Sequence, residues 1–316
     1  GYAAAEVKTT ASVRMGVVST PSVTAKAAGA TAAADADAVV AAQADVNAAT
    51  TTADLTAANT ALAAAKTAAA ASAAVAAVGS DVAFTSRVRI GFAASGETDN
   101  GLTFGASVRA DQSGQGNTAN GDSTVFISGA FGKLTMGDVS GAADAIVGQV
   151  SGVGFTGLGS NNEIGYLGNT KTAALYTYSA GALSFGLGLG QTTAAKQEMS
   201  VAVKYSTDAY SVAVGFEDNG TTTQTSALAS ATMSGVTVKA KVADKNTAAN
   251  NAYALSADYS MSSVAMTAFY SSSFTKVGSY GVGASYDLGG GATVAGGVSK
   301  SEGAKSSFDL GVSMSF

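Results

Sequence analysis

A chain of 316 residues is long enough for one large domain or two ordinary ones. With no Cys and no His it lacks disulfides, the usual zinc ligands and the commonest general base, so a Ser-His-Asp hydrolase is excluded and no cofactor is expected. A net charge of −5 argues against nucleic acid as a partner, and the apolar runs are alanine broken by Asp, Thr, Ser or Lys, too polar for a transmembrane helix.

The first segment, Gly1–Ala5, carries the small residues Ala3, Ala4 and Ala5 and reads equally as an export-signal remnant or a frayed terminus. The first strand lies within residues 6–21. Over Val7–Val18 the residues Val7, Thr9, Ala11, Val13, Met15 and Val17 occupy one face, with Lys8, Ser12 and Arg14 on the other.

Residues 22–79 have another texture, with alanine at half of the positions. Alanine is the best helix former, and the block predicts two helices, Ala30–Ala49 and Asp54–Val78, hinged at Thr50–Thr52. Thr52 is the expected N-cap of the second helix and Gly79 its stop. Leu55, Leu62, Ala69 and Ala76 form a heptad that suits a close alanine seam. A disordered low-complexity linker is the other reading of this block.

From residue 80 onward the pattern is β throughout. Alternating segments begin at Val82, Leu102, Thr124, Leu134, Ala173, Leu183, Met199, Tyr210, Thr225, Val236, Ala252, Val264, Ser279, Ala292 and Ser306. With the first strand they make sixteen. Connectors alternate short and long, as in Ser234-Gly235 and Gly289-Gly290-Gly291 against Gln112–Ser123 and Lys245–Asn251. Outer-membrane barrels sort their connectors this way, short on the periplasmic side and long outside. An even strand number puts both termini on the periplasmic side.

One face of these segments is apolar, whereas the other holds Arg14, Arg87, Arg89, Arg109, Lys204, Lys239, Lys241 and Asp258. A soluble core could not bury those charges unpaired, but a water-filled lumen needs no pairing. The expected fold is therefore all-β: a 16-stranded antiparallel transmembrane β-barrel with an Ala-rich helical insertion between strands 1 and 2. Arg14, Arg87, Arg89 and Arg109 fall on the first three strands, and form a basic wall or simply face water. Within 80–316 the longest connector is 139–172. Folded into the lumen it would constrict it, with Asp138, Asp144 and Glu163 facing the arginines across a modest transverse field. The chain ends with Phe308, Leu310, Val312, Met314 and Phe316 on one face, and Phe316 reads as the closing residue and assembly signal of an outer-membrane barrel.

At this point the chain resembles the trimeric general diffusion porins of alphaproteobacteria. The resemblance rests on Glu6-Val7-Lys8, Arg14-Met15-Gly16-Val17, Ser86-Arg87-Val88-Arg89, Gly101 to Ser107, Thr124 to Lys133, Leu175 to Gly181 and Tyr280 to Gly291. It covers nearly all of 6–20 and 82–316. It implies a homotrimer, passive diffusion of small hydrophilic solutes and ions, and a third loop that forms the constriction. It also implies outer-membrane lipids and the barrel-assembly machinery as partners, and no enzyme activity. Two departures stand out: the third loop has few acids, and the Ala-rich block replaces a short first extracellular loop. The alternative is a surface-contact protein that uses the barrel as anchor and the helices as a stalk or interaction module. The helices could also fold into the mouth as a plug.

Overall fold

The computed structural model describes residues 6–20, 29, 31–73, 81–113, 119–169, 172–193 and 196–316. The expectations for Gly1–Ala5, Ala30, Ala74–Val78 and Gly79 lie outside the described residues. Sixteen antiparallel strands close into one barrel. They are β1 (Glu6–Thr20), β2 (Asp81–Glu97), β3 (Thr103–Ser113), β4 (Ala119–Gly129), β5 (Gly132–Gly137), β6 (Ala173–Ala180), β7 (Leu183–Thr193) and β8 (Lys196–Ser206). The second half comprises β9 (Tyr210–Asp218), β10 (Thr223–Met233), β11 (Val236–Lys245), β12 (Ala252–Met261), β13 (Val264–Ser272), β14 (Gly278–Gly289), β15 (Ala292–Ser301) and β16 (Ser307–Ser315).

Each strand pairs with its neighbour in sequence, and β16 returns to β1 with Met15 opposite Val312 and Val17 opposite Leu310. At the end of that ladder Phe316 and Ala11 exchange both backbone hydrogen bonds, at 2.8 and 3.3 Å. Closure leaves no free sheet edge, which is the condition for strands to exist in lipid.

Several strands run past their apolar stretch at the end carrying the longer connectors. The fourth begins at Ala119 and the eighth at Lys196, where alternation alone suggested Thr124 and Met199. Hydropathy marks only the part of a strand that meets hydrocarbon, while the hydrogen-bond ladder continues into water. For the same reason the connector between β7 and β8 shrinks to residues 194–195. At the opposite end the turns are tight. Ser234 and Gly235 both take positive φ, 51° and 80°, the two-residue hairpin geometry whose twist matches that of the strands.

The barrel is inverted relative to a soluble one. Its outward faces carry exposed Val, Leu, Phe, Met and Tyr side chains on every strand from Phe84 (93% exposed) to Phe316 (78% exposed). A continuous apolar surface of this extent requires a nonaqueous surrounding. The inward faces bury Ser200, Ser226, Ser256, Ser271 and Ser299 instead.

Residues Thr20–Asp81 form a separate compact unit. It holds α1 (Ala32–Ala48) and α2 (Thr52–Ser72), joined by the hinge around Thr50. The N-cap is Thr51 rather than Thr52: its hydroxyl accepts from the Asp54 amide (3.1 Å) and donates to the Asp54 carboxylate (2.6 Å). The side-chain spacing decides this, because a cap oxygen reaches the third amide of the helix and Asp54 occupies that position. The helix also ends early, at Ala73, whose ψ of 146° is extended. Leu62 is buried as expected, but Leu55 remains 42% exposed. The less exposed stripe of α2 runs through Ala58, Leu62, Ala65 and Ala69, alternating steps of four and three. A strict seven-residue repeat would require supercoiling that a two-helix hairpin of this length does not need. At the open end Gly29 N–H donates to Ser72 O (2.7 Å) and Thr31 donates to Asp35 (2.8 Å). The Asp35 carboxyl sits below its ordinary value, chiefly through a hydrogen bond with Ser72 and secondarily through Thr31.

Candidate functional site

The connector between β5 and β6 lies inside the barrel as a strap along the inner wall. It leaves β5 at Asp138, whose amide donates to Ser123 O (2.9 Å), and forms a short helix, α3 (Ala142–Val147). The α3 residues Ala142, Ala143 and Val147 are buried against lumen faces of β7, β8 and β9. The Ser200 hydroxyl of β8 accepts the Ala142 amide at 2.7 Å. From the last residue of α3 onward, Val147, Val150 and Ile164 pack with Ala202, Ala213, Leu228, Ala243, Ala252 and Ala254 in one apolar cluster. Small wall residues are required here because the strap approaches the sheet backbone closely.

Lumen charges of the wall are used to hold this strap. Lys241, 2% exposed, donates to Gln149 Oε1 (2.8 Å) and Ile164 O (2.9 Å), with its ammonium 3.7 Å from the centre of the Tyr166 ring. Glu217 Oε2 accepts from Leu167 N (3.1 Å), and Gln224 donates to Gly165 O (2.8 Å). Lys239 and Asp258 both bind the Ser151 hydroxyl, at 2.9 and 2.7 Å. At the tip, Asp309 Oδ2 accepts the amide and hydroxyl of Thr156 at 2.7 and 2.5 Å. Buried charges without partners would cost several kcal/mol each, and the strap's backbone and polar side chains supply those partners. Burial raises the Tyr166 phenol above its ordinary value, with smaller contributions from Asp144 and Glu217, and its hydroxyl donates to Gly148 O at 2.6 Å.

The four arginines occupy lumen faces of β1, β2 and β3. Arg89 stands directly opposite Asp111 in the β2–β3 ladder. Asp111 gathers its neighbours: Arg87 in a two-pronged contact (2.9 and 2.5 Å), Arg89 at 2.7 Å and Arg109 at 3.7 Å. Arg14 donates to Phe155 O (3.3 Å) and lies within electrostatic reach of Arg87, Asp111 and Asp309. The basic cluster therefore contains a carboxylate that alternation alone placed only at the end of a strand. Its signal was present, since Asp111 follows Arg109 by two residues and must share its face.

The three strap acids are dispersed. Asp138 is exposed beside the end of β5, Asp144 lies in the first turn of α3, and Glu163 is exposed on the returning limb. Asp144 acts electrostatically on Glu217, Tyr166 and Lys241, and Glu163 acts on Lys241. Asp111 of the wall pairs with Arg87, Arg89 and Arg109, and Asp111 and Asp309 both act electrostatically on Arg14.

Residues 1–306 match the family model described as Gram-negative porin. The porin of Rhodobacter capsulatus is 37% identical over 287 residues, covering 75% of this chain and 95% of that protein. Among solved structures, a refined porin at 28% identity superposes with a TM-score of 0.67 over 98% of this chain and 100% of that one. A triple-mutant Rhodopseudomonas blastica porin at 18% identity shares the fold, with a TM-score of 0.70 over 98% and 100% of the two chains. These relationships favour a channel over a surface-contact anchor or an enzyme. The chain belongs to the Gram-negative porin family and is an outer-membrane channel for passive diffusion of small hydrophilic solutes and ions.

Proposed function

We propose that the strap of residues 138–172 is the constriction of this channel, and that Arg14, Arg87, Arg89 and Arg109 form the basic side of its narrowest zone. Asp138, Asp144 and Glu163 supply the opposing acidic side, with Asp111 and Asp309 tempering the arginines. The observation that carries this reading is the division of the lumen. Strap residues are bound to wall residues of β8 through β16 and, at the tip, to Arg14 of β1, while Arg87, Arg89 and Arg109 of β2 and β3 are paired with Asp111 within their own sheet. Solutes then pass between a positive wall and the strap, a geometry that favours small polar solutes over apolar ones.

Glu6 and Phe316 lie at the short-turn end of the barrel, the periplasmic end on this reading, so the helical unit of residues 22–79 belongs to the first extracellular connector. Three copies associate through β15, β16 and β1–β5. Supporting this, all nine strand tyrosines fall on β6–β14, from Tyr176 to Tyr286, and at alternating positions that face outward. Tyr marks a lipid–water boundary, and a sector without it suits contact with other subunits. The exposed Phe316 ring beside β1 is the feature for the barrel-assembly machinery to read, and lipid surrounds the remaining face.

Purified folded protein reconstituted in planar bilayers should give stepwise conductance in multiples of three. Absence of steps from a demonstrably folded trimer would overturn the proposal.

A further inference from the structure

We infer that the bore of the channel is set by glycines of the barrel wall, which form a two-part seat under the strap. The inference rests on the reading of residues 138–172 as the constriction. The first part lies under α3. A Cβ on Gly215 of β9 would stand 2.7 Å from Ala143 Cβ, and one on Gly186 of β7 would stand 2.8 Å from Ile146 Cγ1 and 3.1 Å from Ala142 Cβ. The second part lies under the tip. There a Cβ on Gly297 would be 2.7 Å from Gly154 N; Cβ atoms on Gly16 and Gly311 would meet the Phe155 ring at 2.6 and 2.7 Å, but would strike the wall's own backbone first, at Leu310 O and at Met15 O (2.5 Å). Glycines thus bed both ends of the strap on strands far apart in sequence, while alanines and serines line the stretch between.

A wall methyl on Gly186, Gly215 or Gly297, where the first atoms met belong to the strap, has one way to be accommodated. The strands belong to a closed hydrogen-bonded ring and cannot retreat outward without breaking ladders on both sides. The strap is tied by side-chain hydrogen bonds and apolar packing rather than by a closed backbone ladder, and can move inward. Restoring an ordinary carbon–carbon separation of about 3.5–4.0 Å from 2.7 Å requires a shift of about 1 Å towards the lumen. The glycines therefore act as positioning residues for permeation: they change aperture without changing charge.

The test combines single-channel conductance with swelling of proteoliposomes in neutral sugars of graded size. Gly215→Ala is expected to lower conductance by roughly 10–20% and to reduce the size limit, with the reversal potential in a salt gradient unchanged. The methyl exchange Gly215→Ala with Ala143→Gly removes the opposing carbon and should restore both. If Gly215→Ala alone fails to assemble, recovery of assembly and of unaltered conductance by the double variant supports the inference equally. Unchanged or increased conductance in folded Gly215→Ala, or failure of the exchange to restore it, overturns the inference. Ala145→Trp, which adds bulk on the exposed side of α3, separates the two readings. If it leaves conductance unchanged the strap is not the constriction; if it narrows the pore while Gly215→Ala does not, only the glycine seat fails.

Discussion

The lumen has two charged regions that look alike in sequence and behave differently in the fold. On β2 and β3 the charges face one another within the sheet: Arg87 and Arg89 converge on Asp111 and keep 23% and 34% of their side chains exposed. On β9, β11 and β16 Glu217, Lys241 and Asp309 are nearly sealed, each 3% exposed or less, and each is occupied with the strap. On the proposed reading, an inward-facing charge serves a channel in one of two ways, by acting on what passes or by holding what narrows. Exposure separates the extremes, with Arg14, Lys239 and Asp258 between them, half-buried and bound to the strap. Only charges still in contact with water act on solutes, whereas buried ones spend their field on hydrogen bonds at short range.

Four measurements can break or sharpen that contrast. The largest effect is expected for Asp309→Ala, which removes two hydrogen bonds to a carboxylate at the strap's tip. At about 1.5 kcal/mol or more for each such bond, local opening should become about a hundredfold easier. Hydrogen exchange of amides 158–163 reads this out, and protection as strong as in the parent chain would refute a holding role. Arg87→Glu with Arg89→Glu changes the other region. Because one unit charge at about 4 Å in water is worth about 1 kcal/mol, permeability should shift about fivefold towards cations. Reversal potentials in a salt gradient that do not move would refute the basic wall. Asp111→Asn should shift permeability in the opposite sense, about twofold towards anions, since it removes one carboxylate from among three guanidinium groups; a cation-ward shift would contradict the assignment.

The smallest effect concerns the helical unit. Asp35 is held below its ordinary range by hydrogen bonds with Ser72 and Thr31, so its contribution is fully present above about pH 4 and fades as pH falls through the depressed value. Protection factors of the amides of residues 31–73, taken against the intrinsic rate at each pH, should fall slightly on acidification below that range, and the fall should disappear in Asp35→Asn. An identical acid response in the variant would remove Asp35 from the account.

Much of the barrel was legible because lipid outside and water inside impose a period of two on every strand, a rule that local composition must obey. Phe84, Val88 and Ile90 against Arg87 and Arg89 display it within a few residues. The same rule hid the strand ends, since Ala119 and Lys196 extend ladders beyond the lipid, where nothing forces alternation. In the helical unit, alanine content announced helices, but the cap moved to Thr51 because a side-chain oxygen and an amide must meet at hydrogen-bond distance.

The sequence by itself determined the sixteen strands, the apolar outer face, the charged inner face and a long connector after β5. Those follow from residue periodicity and from the solvent each face meets. Tertiary structure alone decided that Arg87 and Arg89 converge on Asp111, that Lys241 and Asp309 hold the strap, and that glycines as distant as Gly186 and Gly297 bed its two ends. Such contacts join segments as far apart in the chain as Thr156 and Asp309, and no local pattern encodes a distance between side chains that meet only after the barrel has closed.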